Sequence, residues 1–156
     1  MFQEMATRRL RLRRLLSSDS GTVYAYRSLP EVARLQFWDP QSEEEILRFI
    51  EELARIEPDT PGTWFQLGIT LRDSGLLIGD CGIRFPAEET WQVEVGITLE
   101  PAHQGQGYAT EALEAVFGYC FGPLGKHRVF ASVDPRNEAS IALIDTTVGS
   151  ASCPVT

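Results

Sequence analysis

The sequence has few of the residues that build metal sites and disulfide frameworks. Its 156 residues include three cysteines and two histidines. Cys81, Cys120 and Cys153 are widely spaced, and no C-x-x-C motif or Cys/His cluster occurs. This pattern argues against a zinc site and against a disulfide-stapled fold, and we expect no metal. Cys81 and Cys120 stand inside apolar patterns, so we expect them to pack as small hydrophobic residues.

Long apolar runs and an excess of positive charge are also absent. No run is long enough to cross a bilayer, and the N-terminus lacks the apolar region of a signal peptide. The 14 Lys and Arg residues are outnumbered by 22 Asp and Glu, for a formal net charge of −8. We therefore expect a cytoplasmic protein without nucleic-acid or membrane partners. The acidity suits a cationic substrate such as an amine, although it also simply favours solubility.

The remaining composition is that of an ordinary globular protein. Hydrophobic residues make up 43% of the chain and charged residues 23%, which is typical of soluble domains. A chain of 156 residues is long enough to bury a substantial core. We therefore expect one domain over residues 1–156.

The most informative stretch is a predicted strand, a glycine-rich turn and a predicted helix. Apolar and polar residues alternate over residues 90–99, including Trp91 on the apolar side, which indicates a strand with two different faces. From Ala109 the apolar residues recur with helical spacing, down to Cys120. Between them lies Gln104-Gly-Gln-Gly-Tyr108. Glycines allow close backbone approach, and free N–H groups at a helix start bind phosphate.

Two common phosphate motifs do not fit this turn. No Gly-Lys-Ser/Thr follows, as a P-loop requires, and Thr110 replaces the last glycine of the dinucleotide fingerprint. A plain glycine turn remains an alternative. The stretch Gln104-Gly-Gln-Gly-Tyr-Ala109 instead resembles the pyrophosphate loop of the GNAT acetyltransferases. This resemblance implies that CoA is bound by six consecutive residues: Gln104, Gly105, Gln106, Gly107, Tyr108 and Ala109.

The rest of the chain predicts a mixed α/β order. Strands are expected over residues 7–15, 64–71, 76–85 and 127–134. Helices are expected over residues 17–27 and 42–54, the latter with Ser42 and Glu45 as a capping box, and a short helix or turn over residues 30–38. Leu77 and Cys81 should share one face of their strand, where Gly79 and Gly82 permit a bulge or close approach. The arginines of residues 8–14 suit a solvated strand edge.

A second motif supports the same family. Asn137-x-x-Ser140 follows the predicted fifth strand, and the resemblance implies that Asn137 binds the pantetheine arm while Ser140 lies near the thioester. The stretch Gly-Tyr-Ala-Thr-Glu-Ala, residues 107–112, resembles the corresponding stretch in the branch of the family that contains the ribosomal-protein N-acetyltransferases. The family resemblance covers residues 7–144. It implies an α+β GNAT fold, a central, mostly antiparallel sheet with helices on both faces.

The sequence departs from the family pattern at its end. Residues 145–156 are small, almost uncharged and without helical period. We therefore expect the last two strands of the fold to be missing. The fifth strand would then keep an open edge unless the tail or another subunit covers it, which is compatible with a homodimer.

The resemblance implies direct acetyl transfer from acetyl-CoA to a primary amine, on a protein N-terminus or a small molecule. Glu94, on the polar face of the central strand, is the candidate base, with Asp80 in reserve; a merely solvated carboxylate is equally open. Backbone N–H groups from Ile97 to Leu99 would stabilise the carbonyl oxygen. No tyrosine follows Tyr119, so Ser140 is the candidate for assisting the leaving thiolate. Glu111 is expected to support the helix start.

Two other functions are compatible with these residues. The missing tyrosine and the unusual tail would also suit a non-catalytic CoA-binding module or an inactive truncated paralogue. A weaker alternative is a nucleotide-binding protein that uses the glycine turn as a general phosphate cradle.

Overall fold

A computed structural model describes residues 4–29 and 42–130 of the chain. In these two ranges it contains six strands, three α-helices and two short 3-10 helices. In chain order the elements are β1 (Met5–Ala6), β2 (Leu10–Arg14), the 3-10 helix Ser17–Asp19, α1 (Ser20–Arg27), α2 (Glu43–Leu53), β3 (Thr63–Leu71), β4 (Leu77–Phe85), β5 (Gln92–Leu99), the 3-10 helix Pro101–His103, α3 (Tyr108–Phe121) and β6 (Arg128–Phe130).

The strands form one sheet in the order β1-β2-β3-β4-β5-β6. Neighbouring strands are antiparallel from β1 to β5, and β6 pairs parallel to β5. Helix α3 makes the crossover that a parallel pair requires. The predicted mixed, mostly antiparallel fold is thus confirmed. The predicted short helix or turn over residues 30–38 and the tail of residues 145–156 lie outside the described residues.

Helix α3 packs its apolar face on one side of the sheet. The helix is long, and its buried residues are Ala112, Leu113, Val116, Phe117 and Cys120, the face that the sequence predicts. They belong to one core cluster with strand residues that include Leu67, Ile69, Cys81, Ile83, Val93 and Val95. This cluster is the main core, and it fixes the start of α3 beside the end of β5.

Helices α1 and α2 cover the opposite side of the sheet. Val23 and Tyr26 of α1 form a second cluster with Ile46 and Ile50 of α2. Side chains alternate across a strand, so the residue that follows Asp80 in β4 belongs to the α3 cluster, whereas Asp80 itself bonds Tyr26. The predicted helices on both faces are therefore confirmed.

A bulge in β4 corrects the predicted face of Leu77. Ile69 pairs with Gly79 and Thr70 pairs with Leu77, so Ile78 is the extra residue in the ladder. Ile78 joins the α3 cluster and Leu77 joins the α1/α2 cluster. The expectation that Leu77 shares a face with Cys81 is wrong because one inserted residue reverses the alternation. The predicted close approach also occurs, since a Cβ on Gly79 would lie 2.3 Å from the Thr98 carbonyl oxygen.

Two further expectations are corrected. Trp91 does not continue the apolar face of β5, which begins at Gln92; its side chain lies in the preceding turn and is 48% exposed. Strand β2 is not a solvated edge, because β1 and β3 flank it. Its arginines have defined partners, since Arg13 pairs with Asp19 at 2.8 Å and Arg14 donates to the Ile56 carbonyl at 2.9 Å.

Helix α2 begins as its sequence predicts. The Ser42 side chain accepts a hydrogen bond of 3.2 Å from the backbone N–H of Glu45, and three glutamates occupy the first turn. This arrangement satisfies one N–H group and places negative charge at the positive end of the helix. Helix α2 thereby holds its place over the sheet beside α1.

Candidate functional site

The glycine turn between β5 and α3 has a backbone that only glycine adopts easily. Gly105 has a φ of 76° and Gly107, the N-cap of α3, a φ of 83°. Side chains with a Cβ are strained in this left-handed region. The two glycines turn the chain sharply after the Pro101–His103 helix and direct it into α3.

The turn presents a group of backbone N–H donors. Gly105, Gln106 and Gly107 donate to no backbone carbonyl of residues 4–29 and 42–130. The N–H groups of the first helical residues have no intrahelical acceptor either, and the first such bond runs from Glu111 to the Gly107 carbonyl at 3.1 Å. A Cβ on Gly105 would meet no described atom within 4 Å. Donors, open space and the positive helix end together make an anion-binding cradle.

The glutamine side chains of the turn hold it in shape. Nε2 of Gln104 donates to the Leu99 carbonyl at 3.1 Å, and Nε2 of Gln106 donates to the Ala102 carbonyl at 3.1 Å. Both amides thus bond to the chain just before them. The six predicted loop residues lie together at the start of α3, and the backbone is the part of the turn with free donors.

The α1/α2 face of β4 and β5 carries the candidate base. Glu94 lies opposite Arg84, with 3.4 Å between Arg84 Nη1 and Glu94 Oε1. The Glu94 side chain is 13% exposed. Farther along the same face, Gly82 pairs with Gly96, and a Cβ on Gly96 would meet no described atom within 4 Å. The sheet surface is therefore open at Gly96, whereas the Gln66 and Trp64 side chains of β3 cover Gly82, where a Cβ would lie 2.7 Å from Gln66 Oε1 and 3.1 Å from the Trp64 ring.

Asp80 lies on the same face in a very different environment. It is 2% exposed and accepts from Tyr26 Oη, from Arg27 Nη2 at 2.5 Å and from Gln66 Nε2 at 2.7 Å. Burial, together with the Asp80 carboxylate, raises the pKa of Tyr26, so its hydroxyl keeps its proton and donates it. With its oxygens engaged by three side chains, Asp80 anchors α1 to β4.

The backbone of β5 supplies donors along its other edge. Glu100 N–H bonds the Ile78 carbonyl of the neighbouring chain segment at 2.8 Å. Since the ladder alternates, the N–H groups of Ile97 and Leu99 point away from β4. The Leu99 carbonyl points the same way, because it accepts from Gln104. The donors predicted at Ile97 and Leu99 thus lie on the side of β5 that faces the glycine turn.

Parts of the predicted site lie elsewhere in the chain. Asn137 and Ser140 are outside the described residues, and their roles remain predictions. Across residues 4–29 and 42–130, no three His, Cys, Asp or Glu side chains come together as metal ligands would. In the same ranges, no helix has both the length and the apolarity needed to cross a membrane.

Sequence comparison identifies the family. Residues 9–147 match the model described as "Acetyltransferase (GNAT) domain". YoaA of Bacillus subtilis, named an uncharacterised N-acetyltransferase, is 32% identical over 145 residues, which cover 92% of this chain and 81% of YoaA. The similarly named p20 of Bacillus licheniformis is 28% identical over 148 residues, or 92% of this chain and 80% of p20.

Structural comparison supports the same fold. A structure described as a putative ribosomal-protein-serine acetyltransferase from Vibrio cholerae superposes with a TM-score of 0.79. The match covers 93% of this chain and 82% of the other, at 24% sequence identity. At that identity the superposition is a likeness of fold.

Proposed function

The chain belongs to the GNAT family of acetyltransferases, and we propose that it transfers the acetyl group of acetyl-CoA to a primary amine. The observation that carries this proposal is the turn from Gln104 to Ala109, where two left-handed glycines expose a row of N–H donors at a helix start. Such a row binds a pyrophosphate by hydrogen bonds and by the helix dipole. The relatives named N-acetyltransferases support the reaction class.

Acetyl-CoA would supply an activated acetyl thioester, and the protein would supply position and proton transfer. With the pyrophosphate on the glycine turn, the pantetheine arm would run along the edge of β5 that faces the turn. The N–H groups of Ile97 and Leu99 lie on that edge and would stabilise charge on the carbonyl oxygen. Asn137 and Ser140 remain the proposed partners of the arm and of the leaving thiolate.

The acceptor amine must lose a proton before it attacks. We assign that step to Glu94, because its carboxylate lies on the face of β5 that also carries Gly96, where a Cβ would meet no described atom within 4 Å. A carboxylate there attracts a protonated amine and accepts its proton, directly or through water. Attack by the amine would then form the new C–N bond as the C–S bond of the thioester breaks, and the leaving thiolate would take up the proton that the attacking nitrogen loses, directly or through Ser140. No nucleophile on the protein is needed.

The acceptor class is proposed from the family. The structurally similar Vibrio cholerae protein is described as a putative ribosomal-protein-serine acetyltransferase, which favours a protein as one class of acceptor. We propose the N-terminal amine of a protein as one candidate and a small-molecule amine as the other. We further propose one domain over residues 1–156, a cytoplasmic location and possible pairing into a homodimer. Analytical ultracentrifugation would measure the last.

Two measurements, made one after the other, test first the binding of acetyl-CoA and then the transfer of its acetyl group. Acetyl-CoA should raise the unfolding temperature, because a ligand that binds only the native state stabilises it. Thiol release with a panel of N-terminal peptides and polyamines then measures transfer. The absence of both a thermal shift and thiol release would refute the proposal. A thermal shift without release on any amine would favour the non-catalytic CoA-binding module, and stronger stabilisation by ATP than by CoA would favour a nucleotide-binding protein.

A further inference from the structure

An ionic cluster joins the N-terminal segment to the first turn of α3. The Glu111 carboxylate accepts from the hydroxyl of Thr7, from the backbone N–H of Arg9 at 2.9 Å and from Arg9 Nε at 2.7 Å. We call Thr7, Arg9 and Glu111 the N-terminal clamp. Glu111 is more than 100 residues from both Thr7 and Arg9 in sequence, so the clamp ties one edge of the sheet to the glycine turn.

Arg9 reaches beyond Glu111 into the turn itself. Its Nη1 donates to the Gln106 carbonyl at 3.0 Å, and its guanidinium lies 4.3 Å from the centre of the Tyr108 ring. A Cβ on Gly107 would come within 3.3 Å of Arg9 Nη2. One guanidinium therefore contacts Gln106 and Tyr108 and lies close to Gly107 between them.

The positive charge of Arg9 lies beside the N-terminal end of α3, which by itself would repel a cation. The first turn of α3 carries the positive end of the helix dipole, which disfavours a cation and favours an anion. Glu111 offsets part of that cost. A bound phosphate would be attracted by the guanidinium and by the helix end together.

The protonation of Glu111 fits this arrangement. Partial burial alone would raise its pKa, but hydrogen bonds from the Thr7 hydroxyl and from Arg9, with the charge of Arg9, lower the pKa below its ordinary value. The carboxylate is therefore charged at neutral pH and can hold the guanidinium in one orientation. The hydrogen bond from the Arg9 guanidinium to the Gln106 carbonyl then limits the backbone motion that the two glycines of the turn otherwise allow.

We propose that Arg9 is a positioning residue that holds the turn of residues 104–109 in its phosphate-binding conformation, with Glu111 and Thr7 fixing Arg9. The inference rests on the proposed CoA-binding function. It assigns to β2 and the segment before it a role in donor binding. The guanidinium acts through the turn, by fixing the direction of its N–H groups, and adds positive charge beside the phosphate.

The test compares two arginines of the same segment by calorimetric titration with CoA. Arg9→Gln should weaken binding about tenfold, the effect of losing a charge-assisted hydrogen bond. Arg11→Gln removes the same charge from an exposed arginine whose ion-pair partner is Glu4, and it should change affinity by less than about twofold. Equal affinities of the two variants would overturn the inference. Failure of the unmodified protein to bind CoA would instead refute the proposed function.

Kinetics and a conservative variant separate positioning from a structural role. Arg9→Gln should raise the KM for acetyl-CoA while kcat and the KM for the amine stay within about twofold. Arg9→Lys keeps the charge but loses the fork that reaches Glu111 and Gln106 together; incomplete recovery of affinity is expected. Full recovery by lysine would show that charge alone matters and would overturn the positioning role. Should Arg9→Gln fail to fold, Glu111→Gln provides the same comparison, with weaker CoA binding expected and unchanged affinity contradicting the clamp.

Discussion

Replacing Gly105 by alanine should separate ligand binding from stability. Gly105 and Gly75, in the β3–β4 hairpin turn, share a φ of 76°. A Cβ on either would meet no described atom within 4 Å. Alanine therefore introduces the same backbone strain and no described clash at both positions. Gly75→Ala is the matched control for Gly105→Ala.

The size of each effect follows from this geometry. An L-residue in the left-handed region lowers the free energy of unfolding by about 1–2 kcal/mol. In a domain of this size, each kcal/mol lowers the unfolding temperature by about 2–4 °C. Both variants should show that shift without ligand. Only Gly105→Ala places a methyl group beside the N–H donors. Loss of one hydrogen bond to a charged phosphate costs about 1.5–3 kcal/mol, which is about a 10- to 100-fold loss of affinity.

Calorimetric titration of both variants with acetyl-CoA, next to thermal unfolding without ligand, measures the two effects separately. The expected result is equal destabilisation with weakened binding in Gly105→Ala alone. If the two variants bound acetyl-CoA equally well, the glycine turn would not be the pyrophosphate site. If Gly105→Ala were much less stable than Gly75→Ala, the affinity comparison would be repeated below both unfolding transitions.

Three further predictions follow from the site and the core. Glu94→Gln should lower kcat about 10²- to 10⁴-fold and leave CoA affinity unchanged by calorimetry; an unchanged kcat would contradict its role as base. Despite partial burial, the bonds of the N-terminal clamp lower the pKa of Glu111. Its stabilisation should be complete above about pH 4.3 and lost as the pH falls through the lower folded pKa. In urea unfolding, the advantage of the unmodified protein over Glu111→Gln should therefore shrink in that acidic range, and a constant difference would argue against the depressed pKa. Because Cys81 and Cys120 are both fully buried and burial raises the pKa of Cys81, a Cys153→Ser variant should react with a thiol reagent only in denaturant, and rapid native labelling would contradict this.

The order of elements could be predicted from the sequence because it depends on local periodicity. Strand alternation, the glycine turn and the helical spacing after Ala109 all lie within residues 90–120, and each signal is local. The structure confirms β5, the turn and α3 in that order. The Ser42 cap of α2 was predictable for the same reason, since its hydrogen bond spans three residues.

Contacts between distant segments were not predictable in the same way. The sequence suggested that Glu111 supports its own helix start, but its partners lie in the segment before β2. Periodicity does not encode which distant charges meet. The position of the β4 bulge was not predictable for the same reason. The glycines permit a bulge, but its position at Ile78 depends on the pairing of β4 with β3. That position places Leu77 in the α1/α2 cluster.

The two candidate carboxylates show what sequence pattern leaves open. Asp80 and Glu94 occupy the same face of adjacent strands, opposite Thr98 and Arg84 respectively, so alternation treats them alike. Four residues of strand, or about 13 Å, separate their positions along the sheet. At one position α1 covers the face and brings Tyr26 and Arg27 onto Asp80. Asp80 is 2% exposed and bonded to Arg27, and it anchors α1 to β4. Glu94 lies beyond the reach of that anchor, and we propose on this difference in partners that Glu94 rather than Asp80 acts as the base.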